Sequence, residues 1–285
     1  MSLVCENSLV STMSVSTAQE NLLTSAYTVL RSSGVLRTSL GRRLFRSAYF
    51  LYKRYIEDNL HDLVRAHPVL PEGGNVLDIG ANIGYTSSIL ARAIDADCKV
   101  YAFEPEPFNY ALLHQLASRP EFRSKIIAQQ CAVGAENGTV ELWLNDHHHA
   151  DHRVITSAFR AANSTVSSTS VPILTVDSFL DRNPGPVSLV KIDVQGYELP
   201  VCQGMQRTLE KNDDIKIVLE YSPSGMRSLG FDPSSLIKFL LDRGFQVYLV
   251  RSKGKLTPGM PTAMGQHGYV DLLFSRKPMA CRGGP

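Results

Sequence analysis

Four short apolar runs in this chain end on a carboxylate: NVLD (75–78), KVYAFE (99–104), SLVKID (188–193) and IKIVLE (215–220). Each has the length and the Val, Ile and aromatic content of a buried strand. Segments of helical pattern follow them: YTSSILARAI (85–94), PFNYALLHQLAS (107–118), ELPVCQGMQRTLEK (198–211) and PSSLIKFLLDRG (233–244). Pro107 sits in a first turn and Gly244 ends a last one, as helix boundaries require. Repeated strand–helix units build a mostly parallel sheet with helices on both faces. Ligands of such sheets bind outside the carboxyl ends of the strands, so the residues that end the strands carry the chemistry.

The rest of the chain fits around this frame. KIIAQQCAV (125–133) is a strand, and TVELWL (139–144) alternates and is expected to pair antiparallel with SVPILTV (170–176). A long polar loop, 145–169, separates these two, and VDSFLDR (176–182) is a short helix. FQVYLV (245–250) and YVDLLFS (269–275) are strands. Residues 1–20 are small, polar and expected to be loosely ordered, 21–70 form an N-terminal helical segment, 71–276 one domain and 277–285 a flexible tail. The helical segment shows two apolar stripes, Leu22, Leu23, Ala26, Val29 and Leu30, then Leu44, Phe45, Ala48, Leu51, Tyr52 and Tyr55, with Gly34 and Gly41 as breaks. Its Arg37, Arg42, Arg43, Arg46, Lys53 and Arg54 are interleaved and read as a solvated basic face.

Composition excludes several classes. With 29 Lys+Arg against 27 Asp+Glu the net charge is +2, too small to draw nucleic acid by bulk electrostatics. The five cysteines, Cys5, Cys98, Cys131, Cys202 and Cys281, are odd in number and contain no CxxC pair. That argues against a disulfide framework or a zinc knuckle and for a reducing, cytoplasmic setting. The N-terminus lacks the basic and apolar regions of a signal peptide, and no apolar run approaches a membrane span.

The first strand leads into Asp78-Ile79-Gly80-Ala81-Asn82-Ile83-Gly84. Its glycines are four apart, so this is not the dinucleotide GxGxxG, though it lets the backbone turn sharply and approach a ligand. Glu104 ends the second strand, about 20 positions on, where Rossmann-type sites place the acceptor for ribose hydroxyls. Taken in order, DIGANIGYTSSILAR, VYAFEPEPFNYALL, AVGAENGTVELW, VDSFL, LVKIDVQGYELPVCQGM and IVLEY resemble the FkbM family of S-adenosylmethionine-dependent methyltransferases, over roughly residues 73–276. The resemblance implies an α/β class I methyltransferase fold, Rossmann-like. Its seven-stranded sheet is mostly parallel with the last strand antiparallel; YVDLLFS would be that strand, after a hairpin-like return from FQVYLV. By position it implies that Asp78, Gly80, Asn82 and Gly84 wrap the methionine part of S-adenosyl-L-methionine. Glu104 would take the ribose, Ala132 and Val133 would border the adenine, and Asp193 would face the methyl donor.

Methyl transfer needs an aligned nucleophile and, for a hydroxyl, a proton acceptor. Asp193 and Glu220 end neighbouring strands and are expected in one cleft, as base and orienter or as ligands of a divalent cation; such a cation is compatible but not expected. A salt bridge or helix cap is the plain alternative for Glu220. The 145–169 loop carries His147, His148, His149 and His152. A metal tract is one reading and surface solubility another, with His152 as a base and Arg153 either binding a substrate anion or pairing with Asp151 a third. Glu198 is expected to stabilise a helix start, Trp143 to pack, and Tyr85 and Tyr221 to pack or to line the cleft. The expected activity is O-methylation of a hydroxyl on a small molecule or sugar. The alternative is an inactive cofactor-binding module acting through its basic N-terminal helices. A nucleotide-sugar or NAD-dependent enzyme is disfavoured by the glycine spacing.

Overall fold

In the computed structural model of this chain, residues 38–54, 59–145, 151–163, 166–260 and 268–280 are described. The expectations for residues 1–37, Tyr55, His147, His148, His149 and 281–285 lie outside them. The elements run Ser39–Tyr52 (α1), Asn59–Ala66 (α2), Asn75–Ile79 (β1), Tyr85–Ala93 (α3), Val100–Phe103 (β2), Pro107–Ala117 (α4), Ile126–Gln129 (β3), Ala132–Val133 (β4), Gly138–Trp143 (β5), Arg153–Val154 (β6) and Ser157–Ala162 (α5). They continue with Ser168–Leu174 (β7), Val176–Arg182 (α6), Val187–Ile192 (β8), Glu198–Gln203 (α7), Gln206–Lys211 (α8), Lys216–Tyr221 (β9), Pro223–Ser228 (α9), Pro233–Leu241 (α10), Gln246–Arg251 (β10), Lys255–Pro258 (β11) and Val270–Ser275 (β12).

The main sheet has the order β11-β10-β12-β9-β8-β1-β2-β3. Strands β3, β2, β1, β8 and β9 are parallel, and β12 runs antiparallel between β9 and β10. This is the class I methyltransferase arrangement with an eighth strand added at one edge. Seven strands were expected. The extra one arises at Lys253 and Gly254, whose φ values of 60° and 69° turn the chain back on itself. The hairpin from β10 therefore leads to β11, and β12 returns later to insert between β9 and β10.

Helices cover both faces. Leu77, Ile79, Val190, Ile192, Ile217, Leu219, Leu272 and Phe274 face a core closed by α6 to α10. Val76, Leu189, Val218 and Leu273 point the other way, into a core closed by α2, α3 and α4. A second sheet, β4-β7-β5-β6, stands beside the first. The expected antiparallel pairing of 139–144 with 170–176 is present as β5 and β7. The expected strand 125–133 is divided: β3 closes the main sheet and β4 opens the second. The expected helix 198–211 breaks at Gly204, where a Cβ would lie 1.9 Å from the Gly134 carbonyl oxygen. The 145–169 loop is more structured than expected, holding β6 and α5. The start of the tail is docked, with the Met279 N–H donating to the Tyr248 hydroxyl at 3.1 Å.

Gly41 does not break a helix. It lies in the first turn of α1, its N–H donating to the Thr38 hydroxyl at 3.0 Å. Arg46, expected on a solvated face, is 2% exposed. It donates to Gln115 Oε1 of α4 at 3.2 Å, and Phe50 meets the Tyr85 ring edge-on at 5.1 Å. These contacts fasten α1 over the ends of α3 and α4.

Candidate functional site

The glycine turn after β1 has a steric reason. Gly80 has φ +80°, and a Cβ there would come 1.8 Å from the Asp193 carbonyl oxygen. The Asp193 N–H donates to the Ile79 carbonyl at 3.0 Å, so the ends of β1 and β8 are in close contact. Asn82 also has positive φ, 49°, a conformation that Asn tolerates better than most residues. Gly84, φ +90°, starts α3 beneath Leu113 and Leu116.

Asp78 is 0% exposed. Its Oδ2 accepts from the Ser87 hydroxyl at 2.5 Å, while its Oδ1 is buried with no hydrogen-bond partner. Burial pushes its carboxyl above the usual range against the pull of Lys191. Glu104 accepts from the Asn82 and Glu106 N–H groups, each at 2.9 Å. Burial raises it to about 8. A buried acceptor with an open lone pair is costly unless a donor reaches it. Asp78 Oδ1 is such an acceptor, and the buried Glu104, each oxygen holding one backbone N–H, stands at the adjacent strand end across the turn.

Strand register explains what lies beside them. Asp78 pairs with Lys191 across β1 and β8, Lys191 with Val218 across β8 and β9, and Glu220 with Asp271 across β9 and β12. Alternate residues of a strand share a face. Asp78, Lys191, Glu220 and Asp271 therefore share one face across four strands, the face closed by α2, α3 and α4, with the Glu220–Asp271 pair two residues beyond the level of Asp78 and Lys191.

Lys191 Nζ lies 3.1 Å from Asp193 Oδ2 and 3.9 Å from Asp78 Oδ1. Gln195 Nε2 donates to Asp193 Oδ1 at 2.9 Å and to Glu220 Oε1 at 3.3 Å. Burial opposes the charge on Asp193, but Lys191, Lys53 and Gln195 outweigh it and hold this carboxyl below its usual range. Glu220 moves the opposite way, raised by burial and by Asp193 and Asp271. Asp271 is raised by burial and accepts from Asn59 Nδ2 of α2 at 3.0 Å. The expected meeting of Asp193 with Glu220 thus occurs, joined by four residues the sequence did not single out: Lys191, Gln195, Asp271 and Asn59. Among the described residues no group of three or more His, Cys, Asp or Glu is arranged to hold a metal ion.

Glu198 is 1% exposed and accepts from the Gly196 and Val194 N–H groups at 3.0 and 3.4 Å, which fits a carboxyl stabilising a helix start. Its other oxygen has no partner, and burial raises it to about 7. Ala132 and Val133 form β4 and are buried. His152 Nδ1 accepts the Asn145 N–H at 3.2 Å. Arg153 pairs with Asp151 at 2.6 Å and donates to the Ser228 hydroxyl of α9 at 3.2 Å. The Thr156 hydroxyl donates to the Leu229 carbonyl at 2.9 Å. The second sheet is thereby attached beyond the end of β9. Trp143 packs on Phe159, ring centres 5.4 Å apart, and Tyr221 is in the core.

A model of the methyltransferase FkbM domain matches residues 78–247. Methyltransferase sdnD of Sordaria araneosa is 24% identical over 225 residues, covering 70% of this chain and 83% of that protein. Hexuronic acid methyltransferase AglP of Haloferax volcanii is 24% identical over 182 residues, covering 63% of this chain and 66% of that protein. Among solved structures, a methyltransferase from Geobacter sulfurreducens aligns with a TM-score of 0.42 at 13% identity, covering 81% of this chain and 87% of that one.

Proposed function

Since the chain belongs to the FkbM methyltransferase family, we propose that it is an S-adenosylmethionine-dependent enzyme that methylates a hydroxyl on a small molecule or sugar. The observation that carries the reading is the buried Asp78 Oδ1 beside the Gly80 turn, which has no hydrogen-bond partner and has the Lys191 ammonium 3.9 Å away, with the buried acceptor Glu104 one strand away. S-adenosylmethionine offers donors for such groups: an ammonium and two ribose hydroxyls. The residues present fit it. Asp78 and the Gly80–Gly84 turn would hold the amino-acid part, Glu104 the ribose diol, and Ala132 and Val133 would border the base. When bound, the cofactor supplies a methyl group on a cationic sulfur.

The chain's own groups do the rest. Glu220, whose carboxyl is raised by burial and by Asp193 and Asp271, accepts the proton of the acceptor hydroxyl; a base works best when its pKa approaches the working pH. Asp193, held as a carboxylate by Lys191 and Gln195, presents fixed negative charge towards the methyl-donor side and orients the acceptor. Asn59 brings α2 to the same end of the sheet. His152, whose Nδ1 accepts the Asn145 N–H, would line the acceptor side. The name of the Haloferax relative supports a sugar acceptor. Among the described residues no helix is long and apolar enough to cross a membrane, and Cys98, Cys131 and Cys202 are free thiols, in keeping with a reducing, cytoplasmic setting.

The test is calorimetric titration with S-adenosylmethionine, followed by transfer of labelled methyl to a panel of sugars. Asp78→Asn is expected to weaken cofactor binding by at least about tenfold, the worth of one charge-assisted hydrogen bond. Glu220→Gln is expected to leave binding intact and to lower kcat about 10²- to 10⁴-fold. Wild-type protein that binds no S-adenosylmethionine sinks the reading. Binding without transfer to any acceptor favours an inactive module.

A further inference from the structure

Lys191 is the least expected member of the charged group on this face. It stands in β8, in the middle of the main sheet, on the face where the same strand and its neighbours otherwise present Val76, Leu189, Val218 and Leu273. Its side chain is 12% exposed. A lysine placed for solubility would sit at an edge or a helix surface; this one is set among carboxylates from three strands. Asp78 reaches it from β1, Asp193 from the end of its own strand and Glu220 from β9. The wider surroundings of Asp193 are Lys53 just after α1, Glu198 of α7, Glu104 after β2 and Asp271 of β12. Carboxylates outnumber cations there, so the ammonium decides which of them keeps its charge.

We propose that Lys191 is a positioning residue for methyl transfer: its ammonium, lodged between Asp78 and Asp193, aims Asp193 at the acceptor side as a carboxylate and ties it to the cofactor-binding turn. The geometry allows this because a lysine ammonium is a compact point charge with three donors, able to serve carboxylates on neighbouring strands together. Asp193 Oδ2 takes the nearer contact and Gln195 holds its other oxygen. Glu220 accepts instead from the Gln195 amide at 3.3 Å and stays the proton acceptor. The division of roles between the two carboxylates then follows from where one lysine sits.

The inference rests on the reading of Asp193 as part of the transfer site, and its test is kept separate from that reading. The full chain, carrying carboxyl-¹³C aspartate, is titrated by NMR without cofactor, with Asp193→Asn assigning the signal. Lys191→Met is expected to move the Asp193 midpoint upward by about one pH unit or more, the effect of removing an adjacent opposite charge. Lys191→Arg, which restores the charge, is expected to bring it back to within about half a unit. If Lys191→Met does not fold, Lys191→Gln carries the same expectation. A midpoint unmoved in Lys191→Met or Lys191→Gln overturns the proposal, as does an Arg variant as displaced as the Met one. Calorimetry of wild-type protein with S-adenosylmethionine tests the underlying reading independently.

Discussion

A single hydrogen atom in place of a side chain decides the geometry at Gly80. Its φ of +80° and the 1.8 Å approach of the Asp193 carbonyl to an ideal Cβ leave no room for any other residue. Gly80→Ala must rotate the turn away from β8 or push β8 back, and the positive φ alone costs about 1 kcal/mol or more. We expect a loss of roughly 2–4 kcal/mol in denaturant unfolding and no measurable binding of S-adenosylmethionine; normal binding by a stable variant would refute the close packing of turn and strand. Gly80 was legible because a glycine at a strand–helix turn has a stereochemical reading. Asp78, Glu104, Asp193 and Glu220 were legible because a carboxylate ending an apolar run stands out. Lys191 and Asp271 were not. Each sits inside a strand pattern, and only the registers of β1 with β8 and of β9 with β12 show what they face.

At the scale of elements, the parallel strands could be read from their apolar runs, since central strands are buried on both faces. The edges could not. KIIAQQCAV has the composition of one strand, yet it serves two sheets, dividing between Gln129 and Ala132. Strand β11 is four residues long and ends on Pro258, too short to carry a periodic signal. Helix α5 is six residues long, and its clearest mark is the cap: the Thr156 hydroxyl accepts the Phe159 N–H at 3.1 Å. The same hydroxyl donates to the Leu229 carbonyl. Thr156→Ala removes both bonds. A lost cap costs about 1 kcal/mol, and the bond to Leu229 is one of those that fix the second sheet beyond β9. We expect a lower thermal midpoint by a few degrees and a higher KM for the acceptor, with the dissociation constant of S-adenosylmethionine unchanged. A weaker cofactor affinity with an unchanged acceptor KM would place this segment on the wrong side of the site.

For the whole molecule, the net charge of +2 conceals a separation of charge that has a thermodynamic consequence. Asp78, Glu104, Glu198, Glu220 and Asp271 all have carboxyls raised by burial, while Asp193 is held down. A raised carboxyl means that the folded chain binds protons the unfolded chain has already released. Folding stability therefore falls as pH rises from the unfolded carboxyl pKa, near 4.5, to the folded value: about 7 for Glu198 and about 8 for Glu104. Each such group contributes a slope of up to about 1.4 kcal/mol per pH unit within its window. The contribution of Asp193 has the opposite sign but is complete above about pH 4, so it does not offset the slope. The ligand-free protein is thus expected to lose thermal stability steadily between pH 5.5 and 8. On the proposed reading, S-adenosylmethionine is expected to reverse the trend, because its hydroxyl donors would favour the ionised form of Glu104 and because it would bind only the folded state. Its stabilising effect should grow over the same interval, and binding near pH 7 should release protons, visible as a buffer-dependent enthalpy in calorimetry. Glu104→Gln, which cannot ionise, should reduce the slope of the free protein and weaken the pH dependence of the cofactor's effect, Glu198 and Asp78 keeping the remainder. A thermal midpoint that rises towards pH 8 without cofactor would mean that Glu104 and Glu198 are charged in the folded chain, and that the cleft is open to water before the cofactor arrives.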